Sequence, residues 1–118
     1  MYQVSKKFEF CASHKLEGLE HGHPCQRIHG HNYEVEFVFE AEELDETGMV
    51  IDYRKMEPIK QFLDTGVDHR HLNDFWEFNP TAENIARELF KIGKKAFPQL
   101  RMVKVSETPK TTATYYEL

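Results

Sequence analysis

The chain has 118 residues, the usual length of one folded domain. It is 40% hydrophobic and 13% aromatic, with nine Phe and five Tyr, which is enough apolar bulk for a real core. A formal net charge of -5 argues against broad binding to nucleic acid or anionic membranes, while leaving room for a local basic pocket for a phosphorylated small molecule.

Residues 2–12 read as a strand. Tyr2, Val4, Phe8, Phe10 and Ala12 share one parity, broken only by Lys6, so their side chains point together toward a core. His14 has the same parity if the strand runs that far. The opening stretch MYQVSKKFEF has no apolar core of a signal peptide, and no apolar run approaches membrane-spanning length. The expectation is a soluble, cytoplasmic protein. Cys11 and Cys25 then read as reduced thiols rather than a disulfide framework. Cys11, inside the first strand, fits an inert buried cysteine.

Residues 15–28 carry Gly18, Gly22 and Pro24 and read as a loop. Residues 29–40 are the clearest strand, with Tyr33, Val35, Phe37 and Phe39 alternating with Glu34, Glu36, Val38 and Glu40. A polar turn (41–48) and a short extended stretch (49–53) follow. Met56, Ile59, Phe62 and Leu63 give a helix over 55–64 one apolar face, with Pro58 best placed in its first turn. Residues 65–80 read as a loop. A second helix spans 82–97, with Thr81 as N-cap, a stripe of Ile85, Leu89, Ile92 and Ala96, and Pro98 as its stop. Residues 100–107 and 111–117 form a hairpin. The order strand, strand, helix, helix, strand, strand implies an α+β fold, an antiparallel four-stranded sheet with two helices on one face. Sheet edges this exposed invite oligomerisation by edge pairing. With no linker, low-complexity segment or long repeat, 1–118 reads as a single domain.

The tripeptide His-Gly-His occurs twice, at 21–23 and 29–31. His29 and His31 open the best strand with the parity of its apolar face, and alternate strand residues, roughly 6.5–7 Å apart, can converge on one ion. An antiparallel hairpin of the first two strands would bring His14 beside them. Three neutral imidazoles and an open position make a catalytic zinc arrangement rather than a closed structural one. Spacing alone leaves His29 and His31 balanced between ligation and ordinary histidine roles, and His14 less favoured. His21 and His23 lie in a loop without strand geometry and read as structural or solvent-exposed.

The segments FCASHKL (10–16), CQRIHGHNYEVEF (25–37), GMVIDY (48–53), DHRHLND (68–74), PTAENIA (80–86) and VKVSETP (103–109) occur in this order. Together they strongly resemble the 6-pyruvoyl-tetrahydropterin synthase / 6-carboxy-tetrahydropterin synthase family over nearly the whole chain. The resemblance implies the T-fold, with subunits joined edge to edge into a barrel, as hexamers built from two trimers. It implies zinc ligands at His14, His29 and His31, catalytic roles for Cys25, Asp68 and His69, and a pterin-anchoring role for Glu107.

Each assignment has a physical reading beside a plainer alternative. Cys25 lies four residues before His29, where a cation or imidazole can favour its thiolate. His69 can relay protons with Asp68 setting its tautomer, although neighbouring side chains often diverge and an ordinary polar turn explains the pair equally well. Glu107 shares the parity of Val103 and Val105 and so points inward. It can accept paired N–H donors from a pterin, or a salt bridge. Asp52 reads as a capping residue; His71 is assigned nothing.

Two branches of the family act on 7,8-dihydroneopterin triphosphate. One yields 6-pyruvoyl-tetrahydropterin, the other 6-carboxy-5,6,7,8-tetrahydropterin with acetaldehyde, on the way to queuosine and other 7-deazapurines. The compact Cys-x3-His-Gly-His spacing and the short chain resemble the carboxy branch. A non-catalytic zinc-binding paralogue would need only the three histidines.

Overall fold

The structure, a computed structural model, describes residues 1–118. Two long strands carry it, β1 (Tyr2–His14) and β2 (His29–Ala41). They pair antiparallel along their whole length, with Tyr2 opposite Ala41 and His14 opposite His29. The alternation in both sequences makes this register the one that gathers most of their large apolar side chains on one buried face. Phe8, Phe10 and Ala12 of β1 and Tyr33, Val35, Phe37 and Phe39 of β2 are all buried.

The helical region between the hairpins starts with a 3-10 turn (Tyr53–Met56). It continues as α1 (Glu57–Phe62) and ends in a wide π turn (Leu63–Val67). The expected extended stretch at 49–53 is instead a bend, capped by Asp52, whose carboxylate accepts from the Arg54 backbone N–H at 2.9 Å. Pro58 sits in the first turn of α1, where its missing N–H costs nothing.

The expected loop at 65–80 contains β3 (Arg70–His71) and a one-turn helix, α2 (Leu72–Phe75). β3 runs parallel to β1, with Ala12 opposite Arg70 and Ser13 opposite His71. The four-stranded sheet read from the sequence therefore gains a fifth, two-residue member and becomes mixed. Such a strand is too short to leave a period in the sequence.

The second long helix, α3 (Ala82–Ala96), is capped by Thr81, whose hydroxyl accepts from the Asn84 N–H at 3.1 Å. It buries Ile85, Ala86, Leu89, Phe90 and Gly93, whereas Ile92 and Ala96 of the expected stripe face out. The second hairpin is β4 (Leu100–Thr108) with β5 (Thr111–Tyr116). β4 docks on the free edge of β2, which gives the strand order β3-β1-β2-β4-β5. One hydrophobic cluster of 24 buried residues lies between the sheet and the helices. No helix is long and apolar enough to cross a membrane.

Candidate functional site

Glu107 on β4 meets three histidines where the ends of β1 and β2 pair. His14 is the last residue of β1 and is the one polar or charged side chain in the buried set. His29 and His31 open β2, and the register places His29 directly across from His14. Glu107 has the parity of the buried Val103 and Val105, so its carboxylate turns inward beside them. One ligand atom from each of His14, His29, His31 and Glu107 lies within 4.8 Å of all the others.

The hydrogen bonds behind the rings decide what faces the cluster. His14 Nδ1 lies 2.8 Å from the Pro80 carbonyl, and His29 Nδ1 lies 2.7 Å from the Arg27 carbonyl. A carbonyl can only accept, so each Nδ1 must carry the proton. In the neutral rings both Nε2 atoms then present lone pairs, and they point at each other across 3.0 Å. Two acceptors at that distance repel unless a proton or cation lies between them. His31 adds a third nitrogen: its Nε2 is shielded from solvent and has no hydrogen-bond partner. Glu107 Oε2 approaches this atom to 2.9 Å without hydrogen-bond alignment, and His14 Nε2 to 3.4 Å. Buried polar atoms left unpaired are costly.

The arrangement therefore fits a divalent metal ion. Three imidazole nitrogens converge, two are oriented from behind by backbone carbonyls, and a carboxylate lies at hand. Tyr33 supports the group from the core, its hydroxyl 3.1 Å from His14 Nδ1.

The electrostatics agree with that geometry. Burial lowers the pKa of His31, against the pull of Glu107, and the other two histidines lower it further. Glu107 is held below the usual carboxylate range by its contact with His14, with His31 adding to the effect against burial. Burial pushes the Tyr33 hydroxyl far up, with Glu107 adding to it.

A cavity of about 1000 Å³ opens beside the cluster, with His31, Tyr33 and Glu107 on its wall. Asp68 and Cys11 line it too. Asp68 and His69 do touch, Oδ2 to Nδ1 at 2.8 Å, while the other carboxylate oxygen accepts from the Cys11 backbone N–H at 2.8 Å. These bonds, that from Cys11 first, hold the Asp68 carboxyl below its ordinary value. His69 has φ +59, a left-handed conformation uncommon outside glycine, and its side chain is 81% exposed. In this turn the ring meets the carboxylate of its own neighbour, Asp68.

Of the two cysteines, Cys11 departs from its expected environment. Cys11 has the parity opposite to Phe10 and Ala12, so it lies exposed on the polar face and is not an inert core thiol. Cys25 is half-buried in a short 3-10 turn (Pro24–Gln26), away from the cavity wall. Its carbonyl accepts from the Leu16 N–H at 2.8 Å, which ties the loop to the end of β1. His23 caps that turn, its Nδ1 accepting from the Cys25 N–H at 3.1 Å, and His21 is exposed. The first His-Gly-His thus contributes no group to the cluster. Tyr33 could have been found from the parity it shares with His29 and His31. The carbonyls of Pro80 and Arg27 leave no mark in a sequence.

Known proteins are similar to this chain in sequence and fold. A relative from Rickettsia conorii, named 6-carboxy-5,6,7,8-tetrahydropterin synthase, is 32% identical over 120 residues, covering 85% of this chain and 83% of its own. One of the same name from Bacillus subtilis is 27% identical over 128 residues, covering 97% and 84%. The solved structure of Caenorhabditis elegans 6-pyruvoyl tetrahydropterin synthase superposes with a TM-score of 0.86 at 32% identity, covering 99% of this chain and 96% of the other. The family model described as 6-pyruvoyl tetrahydropterin synthase matches residues 3–118, and the chain belongs to that family of pterin synthases.

Proposed function

We propose that this protein is a zinc-dependent 6-carboxy-5,6,7,8-tetrahydropterin synthase. It would convert 7,8-dihydroneopterin triphosphate to 6-carboxytetrahydropterin, acetaldehyde and triphosphate, in the cytoplasm and on the route to queuosine. The observation that carries the zinc reading is the opposition of two unprotonated Nε2 atoms beside the orphaned Nε2 of His31. His14, His29 and His31 would hold the ion. Bound there, zinc supplies Lewis acidity that eases removal of protons from the substrate side chain.

The remaining roles belong to the chain's own groups. Glu107, on the cavity wall, would accept the paired N–H donors of the pterin and fix the ring. Asp68 fixes the His69 tautomer with the proton on Nδ1, leaving Nε2 as the proton acceptor. Cys25 would carry a proton on the opposite side of the substrate. Of these proton carriers, Asp68 lines the cavity of this subunit, while Cys25 and His69 do not. Catalysis of this kind is mostly positioning. The carboxy branch is favoured by the relatives of that name and by the four-residue step from Cys25 to His29. The β5 edge carries unpaired backbone groups, as a subunit that pairs edge to edge in a hexamer of two trimers requires.

The test is turnover of dihydroneopterin triphosphate by zinc-loaded protein, with products identified by mass. Acetaldehyde with the carboxy product supports the proposal. The similarity to the Caenorhabditis elegans enzyme favours one other reading, and a pyruvoyl product would establish it. No turnover with tightly held zinc would point to a non-catalytic paralogue.

A further inference from the structure

β1 has two edges. One pairs with β2 throughout; the other is met by the segment 68–80 only from Cys11 to its end and on through Lys15 and Glu17, with few of the rungs made by a strand. At Cys11 the rungs are the Asp68 side chain on the N–H (2.8 Å) and the His69 N–H on the carbonyl (2.6 Å). Arg70 and His71 pair as a true strand, reinforced by a 2.9 Å contact between Ser13 Oγ and His71 Nδ1. The backbone then leaves into α2, and Asn73 takes over. Its Oδ1 accepts from the Lys15 N–H and its Nδ2 donates to the Lys15 carbonyl, both at 2.9 Å.

A carboxamide has the same donor and acceptor as a peptide group, so one side chain replaces one strand residue. Asn79 repeats the device at Glu17, at 3.0 and 3.1 Å. The two ends of this segment matter to the site. One end carries Asp68 and His69. The other carries Pro80, whose carbonyl orients His14.

Two residues of strand are a weak anchor. The left-handed His69 also needs surroundings that hold it in that conformation. We infer that Asn73 is a positioning residue: its clasp on Lys15 keeps the Asp68–His69 pair in a fixed frame relative to the histidine cluster. This rests on the reading of Asp68 and His69 as proton carriers.

The test compares metal-loaded wild type with Asn73→Ala and Asn73→Asp. Aspartate keeps the acceptor for the Lys15 N–H and loses the donor. We measure kcat and KM on dihydroneopterin triphosphate, bound metal per chain, and the imidazole NMR signals of His69. Displacing reacting groups by an ångström costs up to about 100-fold in rate. Asn73→Ala should therefore lower kcat about 10- to 100-fold, with KM within about threefold and metal content unchanged. Asn73→Asp should fall between, and the hydrogen-bonded Nδ1–H signal of His69 should broaden in step with kcat. Wild-type kcat in Asn73→Ala overturns the inference, as does a loss of rate that tracks a loss of metal. If Asn73→Ala does not fold, Asn73→Asp makes the same comparison. If wild type does not turn over this substrate, the functional reading fails, and the His69 signal alone decides: unchanged in the variant, it overturns the clasp; broadened, it supports it.

Discussion

His21-Gly22-His23 and His29-Gly30-His31 are the same tripeptide in two settings. The second starts a strand whose register is fixed over its full length by β1, so both rings leave the same face and meet His14. The first lies in a loop, where one ring caps a turn and the other is exposed. The motif is therefore not the unit of function. A strand's two-residue period, with a partner strand ending at the right place, turns two histidines into a cluster.

Substitution should break this symmetry most strongly at the metal. Loss of groups that merely orient a ligand costs 10- to 100-fold in affinity, so His31→Ala, which removes a ring from the cluster, should exceed about 100-fold. The double change His21→Ala, His23→Ala should leave affinity unchanged; competition against a chelator measures both. The Asp68–His69 pair on the segment 68–80 should respond next. Asp68→Asn leaves one acceptor oxygen for two donors, the Cys11 N–H and the His69 Nδ1–H, so the His69 tautomer is no longer held and kcat should fall about 100-fold or more.

The same substitution has a pH signature. The Asp68 carboxyl is depressed in the folded protein, so its contribution to stability is present above its ordinary value near 3.8 and is lost as pH falls through the lower folded value. Asp68→Asn should therefore be less stable than wild type at neutral pH and converge on it in strong acid, as denaturant titrations at several pH values would show.

The smallest effects fall on the two glycines and reverse the ranking of the two copies. Gly22 has φ +83 with open space around its missing Cβ, so Gly22→Ala should cost about 1–2 kcal/mol from backbone strain alone. A Cβ on Gly30 would meet only the Ala12 carbonyl at 3.5 Å, an ordinary contact. Gly30→Ala should stay within about 0.5 kcal/mol, as for an unremarkable site. Thermal or denaturant unfolding checks both.

Much of this architecture is legible in alternation. The parity of Phe8, Phe10 and Ala12, continued to His14, and of Tyr33 through Phe39, contains the two central strands, their core face and the meeting of His14 with His29. The same parity argued for an outward-facing Cys11, but its position inside a strand suggested burial. Strand membership says nothing about which face a residue occupies. Thr81 and Pro58 act through local chemistry and were readable at once. The strap at 68–80 was not. Its strand has two residues, its helix one turn, and its rungs at Lys15 and Glu17 are made by asparagine side chains that match any polar loop. The helix read at 55–64 splits into 3-10, α and π turns because its hydrogen-bond spacing changes, which the apolar face does not record.

The central claim concerns which atoms hold the ion, and X-ray absorption on zinc-loaded protein tests it most directly. The account predicts about three imidazole nitrogens at roughly 2.0–2.1 Å, a spectrum unaffected by His21→Ala with His23→Ala, and no sulfur. A sulfur shell at about 2.3 Å would place a cysteine on the metal and contradict the account.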